Sequence, residues 1–492
     1  MRKPPAEPPF GPVPFAGLRL PFVDRFGQFA HADWPEKVRD PSELAADLRA
    51  ERAALRPPPA SWDRFGGWRD GPALEATGAF RVERLDGRWR LVDPDGRLFF
   101  SYGLDTLRHY TDAPNGHRHP AWYETEPPPN GRMAFTHWNL QRKFGKIDYL
   151  ADYYDFILRR LDDWGFNTIG RWSARRLPLL ERRPYLLLLD SPARAPRIPG
   201  TRHYDPYHPD FARRFAEGVA AQTRDPDVAR AADDPFCIGL SIDNEPPFGG
   251  MIGAMLAQDA SGCPAKNAFL AAVRARHPDL GALNAAWGTA FPTWPAVAAL
   301  AAPVPGPGFA ADASAFLLDW LRRYFSAARA AVKALAPRRL YFACAFGGAD
   351  APPVAWDAAA EHADALLADV HLRGVESWRP LGTGAAPERP VLIGAFTFGC
   401  LDRGMLSAGP VPTPSQAARA EALRMFVRGA LSNPLLVGCH YFQYRDQPLV
   451  GRGDGENYQI GFVDVCDRPY AQLAEAARTI GESMYQTRYG GE

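Results

Sequence analysis

PFCIGLSIDNEP, residues 235–246, is a short apolar run that stops on Asp243, Asn244 and Glu245 before a proline. It reads as a buried strand whose last residues emerge into solvent. The same grammar recurs on both sides. Upstream, DYLADYYDFILRRLDDWGF has the period of an amphipathic helix and leads into the strand NTIGRW; RPYLLLLD is a further strand and PDFARRFAEGVAAQTR a further helix. Downstream, the helix AFLLDWLRRYFSAARAAVKAL precedes RLYFACAFGG, and ADALLADVHL, PVLIGAF and PLLVGCHYFQY follow. With a first strand at Leu98 to Gly103 the count reaches eight, which predicts an α/β fold of the (β/α)8 TIM-barrel type. An open doubly wound sheet is the rival, and it is disfavoured because no glycine-rich phosphate turn follows any strand.

At 492 residues the chain suits one barrel with additions. Residues 1–75 are proline-rich and predict an extension wrapping the barrel, with a helix at DPSELAADLRAERAAL capped by Asp40 or Ser42. Residues 76–492 then form the barrel, with a helical insertion around 250–310. Two turn signals, Asp86-Gly87 and Asp95-Gly96, predict a hairpin leading into the first strand. Lys and Arg (57) nearly cancel Asp and Glu (56), so no net field favours nucleic acid or an anionic membrane. A neutral or weakly charged ligand fits better, and an aromatic share of 12% suits stacking on flat ligands. The six cysteines are scattered without a CxxC pair and predict buried thiols rather than a zinc site or a disulfide framework. The start lacks the apolar core of a signal peptide and no run of about 18 apolar residues appears. A cytoplasmic protein is the expectation; oligomeric state is open.

In barrels the active site is built at the C-terminal ends of the strands. Asp105, Arg171, Trp172, Asp190, Asn244, Glu245, His371, Ala395 and the segment from Tyr441 to Asp446 are therefore the candidates. Asn244 and Glu245 are the strongest: a carboxyl held in a partly apolar pocket at the barrel mouth can act as a general acid. The plainer reading is a turn that caps whatever helix follows Pro246 and Pro247.

Asn-Glu ending strand four, with a Glu ending strand seven, is the pattern of the clan A retaining glycoside hydrolases. Within that clan the chain resembles the family 50 β-agarases, in FVDRFGQFAHADWPEKV, NLQRKFG, GFNTIGRW, IDNEP, PVLIGAFTFGCLDRGM and YFQYRDQPLVGRGDGENYQIGFVD. LNAAWGTAFPTW is similar to a segment of family 42 β-galactosidases. The resemblance runs from about Phe22 to Tyr470. It implies hydrolysis of β-galactosidic linkages in a galactose-containing oligosaccharide or polysaccharide, without a cofactor. Glu245 would be the acid and base, Asn244 would bond the 2-hydroxyl, and a strand-seven Glu would attack the anomeric carbon.

That Glu is absent. The family motif resembles I-G-E-F-H-F-G, whereas residues 393–399 read IGAFTFG, with Ala395 at the nucleophile position and Thr397 at the next polar one. A methyl group cannot form a glycosyl-enzyme intermediate. The family usually carries a sizeable carbohydrate-binding domain before the barrel, where a short extension is the expectation from residues 1–75. Three readings of Ala395 stand: a Glu substituted by Ala in an inactive variant, a non-catalytic sugar-binding barrel, or a changed mechanism. In the third, another carboxylate activates water, with Asp446, Asp454 and Glu456 as candidates by neighbourhood.

Arg171 and Trp172 could bond a sugar hydroxyl and stack on a ring, or form an ion pair and fill the rim. His371 could hold the nucleophile, bind a hydroxyl, or be structural. After strand eight, Gln443, Tyr444, Arg445, Asp446, Gln447 and Glu456 mix aromatic and planar polar groups in a way that suits saccharides; an ordered loop is the alternative. Trp287 and Trp294 read as core packing in the insertion. His117 and His119 have a spacing compatible with a metal but no evident third ligand, and a loop is the better reading, so no metal site is expected.

Overall fold

The computed structural model describes residues 15, 17–110, 119–125, 134–347 and 351–490. A small antiparallel sheet comes first: β1 (Arg81–Leu85), β2 (Arg88–Val92) and β3 (Leu98–Phe99). Asp86 and Gly87 both take positive φ, 49° and 75°, which matches the twist a two-residue hairpin needs. The large sheet holds β4 (Ser101–Leu104), β5 (Thr168–Ile169), β6 (Tyr185–Leu189), β7 (Cys237–Ile242), β8 (Leu340–Tyr341), β9 (Ala345–Gly347), β10 (Leu366–Asp369), β11 (Val391–Phe396) and β12 (Leu436–Tyr441).

All pairings in that sheet are parallel, in the order β8-β7-β6-β5-β4-β12-β11-β10-β9. Its two terminal strands, β8 and β9, are halves of one segment. That segment bonds β7 on one side and β10 on the other, so the sheet closes into a barrel of eight staves. The first stave begins at Ser101, not at Leu98, because Leu98 and Phe99 pair backwards onto β2. Helices separate most staves, among them Leu150–Trp164, Phe211–Ala220, Pro353–His362 and Gln416–Ser432. The connections from β5 to β6 and from β10 to β11 carry no α-helix among the described residues. The four short helices between Met251 and Ala298 precede the long helix Pro307–Leu335, and Trp287 is buried there against Phe269 and Phe309.

Parallel strands buried on both faces read as continuous apolar runs, and β7, β11 and β12 are buried at every position. The barrel interior nevertheless carries polar side chains. Ser101 Oγ bonds Thr168 Oγ1 and His440 Nε2, each at 2.9 Å, and His440 Nδ1 lies 3.7 Å from Asp105 Oδ1. Burial pushes the His440 imidazole down to about 3, so it is neutral at pH 7, and pushes the Asp105 carboxyl well above the usual carboxylate range.

Asp40 caps the helix Pro41–Ala54, and the Glu43 side chain returns to the Asp40 backbone N–H, forming a capping box. Arg468 reaches Asp47 and Glu43 of this helix, and Arg160 reaches Glu51. All six cysteines are free and buried. Among the described residues no helix is long and apolar enough to cross a membrane.

Candidate active site

The end of β7 divides the motif Asp243-Asn244-Glu245 among three directions. Asp243, at φ 63°, turns back into the protein, where it accepts from Tyr204 Oη at 3.1 Å, Tyr324 Oη at 2.6 Å and Ser191 Oγ. Asn244 Oδ1 accepts from Arg171 Nη1 at 3.0 Å. The Glu245 backbone N–H donates to the Ala345 carbonyl at 3.0 Å, and its side chain crosses over Gly347. A Cβ at 347 would stand 2.3 Å from Glu245 Oε1, so glycine there is what lets the carboxyl lie across β9.

Glu245 itself has φ 42°, and Thr106 and Trp172, at the ends of β4 and β5, have φ 62° and 55°. Left-handed backbone at a residue with a Cβ is sterically disfavoured, and these three residues hold it where their strands reach the C-terminal end of the barrel.

These strand ends surround a cleft of about 440 Å³ at the C-terminal mouth. Asn244, Glu245, Trp172, His371, Ala395, Gln443 and Glu456 line it, as the sequence led us to expect. Trp172 is half-buried, packed edge-on against Phe442 at 5.5 Å with the Arg171 guanidinium over its ring at 4.2 Å. It is thus a fixed aromatic wall on which a sugar ring can stack. Gln443 donates through Nε2 to the Arg445 carbonyl at 2.6 Å, while its Oε1 is buried without a protein partner among the described residues. Glu456 accepts from Gln447 Nε2 at 2.6 Å and pairs with Arg452 at 3.2 Å. Burial first, and the charges of Asp454 and Glu245 after it, raise the Glu456 carboxyl above its usual value.

Arg171 lies beneath the cleft, fully buried, and joins strands two, four and six of the barrel. Besides Asn244 it donates through Nη2 to Asp369 Oδ1. A Cβ at Gly394 would lie 2.8 Å from that Nη2, so the guanidinium passes directly under the residue before Ala395. Arg171 therefore orients the site from below rather than lining it. Ala395, 3% exposed, is the Cα partner of Asp369 in the β10–β11 pairing.

Asp369 also lines the cleft, and sequence reasoning missed it by taking strand six two residues further, to His371. The signal was present, since Asp369 is the first polar residue after the apolar run LLA. Burial raises its carboxyl to about 6; Arg171 opposes the rise and Asp105 adds to it. Thr106 and Arg108 also line the cleft and were not singled out; Phe442, within the segment expected there, and Arg452, Gly453 and Asp454 are further parts of its wall.

Several expected site residues are not in the cleft. Tyr444 is fully buried and its hydroxyl accepts from Arg160 Nη1 at 2.6 Å. Asp446 faces away, accepting from the Gly461 N–H at 2.7 Å and Tyr470 Oη at 2.6 Å, so it braces the loop after β12. Arg445 pairs with buried Asp467 at 2.8 Å. Phe442 and Gln443 line the cleft, whereas the three residues that follow are bound to groups inside the protein. Asp105 lies wholly inside the barrel. Asp190 is exposed beside Arg175 and lines a separate pocket of about 350 Å³ that shares Trp172 with the cleft. His119 stacks on Trp122 at 4.0 Å, and His117 lies outside the described residues. Among the described residues no three His, Cys, Asp or Glu side chains are grouped to hold a metal ion.

The family resemblance extends over nearly the whole chain. It is 29% identical to β-agarase B of Vibrio sp. (strain JT0107), over 95% of this chain and 55% of that protein. With β-agarase A of the same strain the identity is 29%, over 94% of this chain and 52% of the relative. The chain thus spans about half the length of the curated relatives it matches. The crystal structure of an agarase, AgWH50C, superposes with a TM-score of 0.86 at 29% identity, covering 95% of this chain and 74% of that one. An exo-β-agarase superposes with a TM-score of 0.86 at 28% identity, covering 96% and 73%. No family model matches the chain. The chain is therefore similar to the β-agarases in sequence and shares their α/β-barrel fold.

Proposed function

We propose that the cleft binds a β-linked galactan oligosaccharide of the agar type and is a glycoside hydrolase site. Glu245 is its acid and base, Asn244 bonds the 2-hydroxyl, and position 395 is where the nucleophile of a retaining double displacement belongs. The observation that carries this reading is one shared cleft: Asn244, Glu245 and residue 395 face it together, with Arg171 bonded to Asn244 beneath them. Similarity to proteins named β-agarases supports the galactan class. Trp172 supplies an aromatic face and Gln443 Oε1 an acceptor for a hydroxyl. No cofactor enters this chemistry.

With a methyl group at 395 the covalent step of retention is closed, while most ground-state contacts remain. Binding with slow turnover follows. A non-catalytic sugar-binding barrel is the second reading, and Ala395 itself is what favours it.

Calorimetric titration with agar-derived oligosaccharides tests the common part of both. The native chain should bind them, and Trp172→Ala should weaken binding on the order of tenfold through loss of stacking. If no galactose-containing oligosaccharide binds, the reading fails.

A further inference from the structure

We infer that Asp369 is the base that activates water in this cleft, so that residual hydrolysis proceeds with inversion rather than retention. The inference rests on the preceding reading of Glu245 as the acid acting on a bound galactoside.

The first argument is position. Asp369 on β10 is backbone partner to Ala395 on β11 and to Gly347 on β9, the glycine over which Glu245 lies. Asp369 therefore occupies the stave next to the missing nucleophile, on the same cleft as the acid. The second argument is reach. An Asp side chain is one methylene shorter than the Glu that would attack from 395, and it starts from the neighbouring stave. Ala395 and Asp369 line the same cleft, and a methyl at 395 fills less of it than a Glu side chain would. A carboxylate set back from the sugar with room for a water between is the arrangement of inverting enzymes, whose carboxyl groups stand roughly 6.5–9.5 Å apart rather than about 5 Å.

The third argument is occupancy. Asp446 faces away from the cleft, and Arg452 pairs with both Asp454 and Glu456, the latter also held by Gln447. Arg171 engages Asp369 through Oδ1, which leaves the second carboxylate oxygen for a water. A carboxyl raised to about 6 by burial is ionised at neutral pH and basic enough to take a proton from water.

The step balances without another reagent. The Asp369 carboxylate takes a proton from water as the water oxygen bonds to the anomeric carbon. The bond from that carbon to the glycosidic oxygen breaks, and Glu245 gives its proton to the departing oxygen. Proton exchange with solvent then resets both carboxyl groups.

The test is the configuration of the product first formed by the native chain, followed by proton NMR on an aryl β-galactoside and on agar-derived oligosaccharides. Calorimetric binding of the same sugars is measured alongside, with Asp369→Asn as the variant. The expected results are an α product and a fall in rate of roughly 10²–10⁴-fold in the variant, with affinity changed only a few-fold. A β product overturns the inference whether or not the variant folds. So does an undiminished rate in a folded Asp369→Asn protein. Binding without any hydrolysis by the native chain overturns the role of Asp369 and leaves the sugar site standing; absence of binding removes both.

Discussion

Asp369 and Ala395 are backbone partners on adjacent barrel strands, so a carboxyl stands one stave from the methyl that occupies the nucleophile position. Arg171 runs beneath both. Burial and two neighbouring groups therefore set the ionisation of Asp369: burial acts against charge, Arg171 favours it, and Asp105 opposes it.

The pH dependence follows from that balance. The Asp369 carboxyl is raised to about 6, so its basic form appears as pH rises through that value. The rate of hydrolysis should climb about tenfold per pH unit as pH rises toward 6, and fall again where Glu245 loses the proton it must donate. The stability contribution has the opposite slope: the folded chain keeps a proton that the unfolded chain has released, and this advantage is lost as pH rises from about 4 to 6. A pH–rate profile that is flat between 4.5 and 7 contradicts the assignment of the base.

Glu245 is exposed in the cleft and lies at the end of a strand whose fold does not depend on its charge. Glu245→Gln should therefore leave the melting temperature nearly unchanged while lowering hydrolysis of oligosaccharides roughly 10²–10⁴-fold. An aryl galactoside with a good leaving group needs less protonation, so its loss should be smaller. Equal losses on both substrates contradict the role of acid.

Gly347 matters because of what it lacks. A Cβ there meets Glu245 Oε1 at 2.3 Å, and the carboxyl must move. Gly347→Ala should lower the rate by about tenfold or more, the usual consequence of misplacing a catalytic group by an ångström. Circular dichroism should show an intact fold. An unchanged rate would mean that Glu245 acts from another rotamer.

Asp467 is the structural counterpart of this site. Lys143 at 2.9 Å, Arg160 at 3.0 Å and Arg445 at 2.8 Å all pair with its fully buried carboxylate, tying the helices before β5 to the loop after β12. Its carboxyl is held far below the usual range, because three cations outweigh its burial. That contribution to stability is present above about pH 4 and is lost as the medium turns more acid. Asp467→Ala leaves buried cations without a partner and should destabilise by roughly 3–5 kcal/mol in urea unfolding. A change below about 1 kcal/mol would contradict the count of desolvated charges.

The staves were legible because each is a short apolar run between helical periods, and β7, β11 and β12 stood out on that pattern alone. Boundaries were less so. Leu98 and Phe99 look like the start of a barrel strand, yet their pairing with β2 is set by contacts distant in sequence. At the site, Asn244, Glu245, Trp172, His371, Gln443 and Glu456 were found from strand ends and motif. Tyr444 and Asp446 were misplaced because composition names suitable groups but not the side of the chain they face. Asp369 was missed because one polar residue ending an apolar run is a weak mark until its neighbour Ala395 is seen beside it.

The most direct test of the central claim is turnover by Ala395→Glu beside the native chain, on aryl β-galactosides and agar-derived oligosaccharides, with the product configuration recorded. The restored carboxylate would stand above Arg171, facing Glu245 across the cleft. A gain on the order of 10⁴-fold with a β product is the predicted result, since retention then needs nothing further. A folded Ala395→Glu protein that binds the oligosaccharides and hydrolyses them no faster than the native chain contradicts the claim that this cleft is glycosidase machinery lacking only its nucleophile.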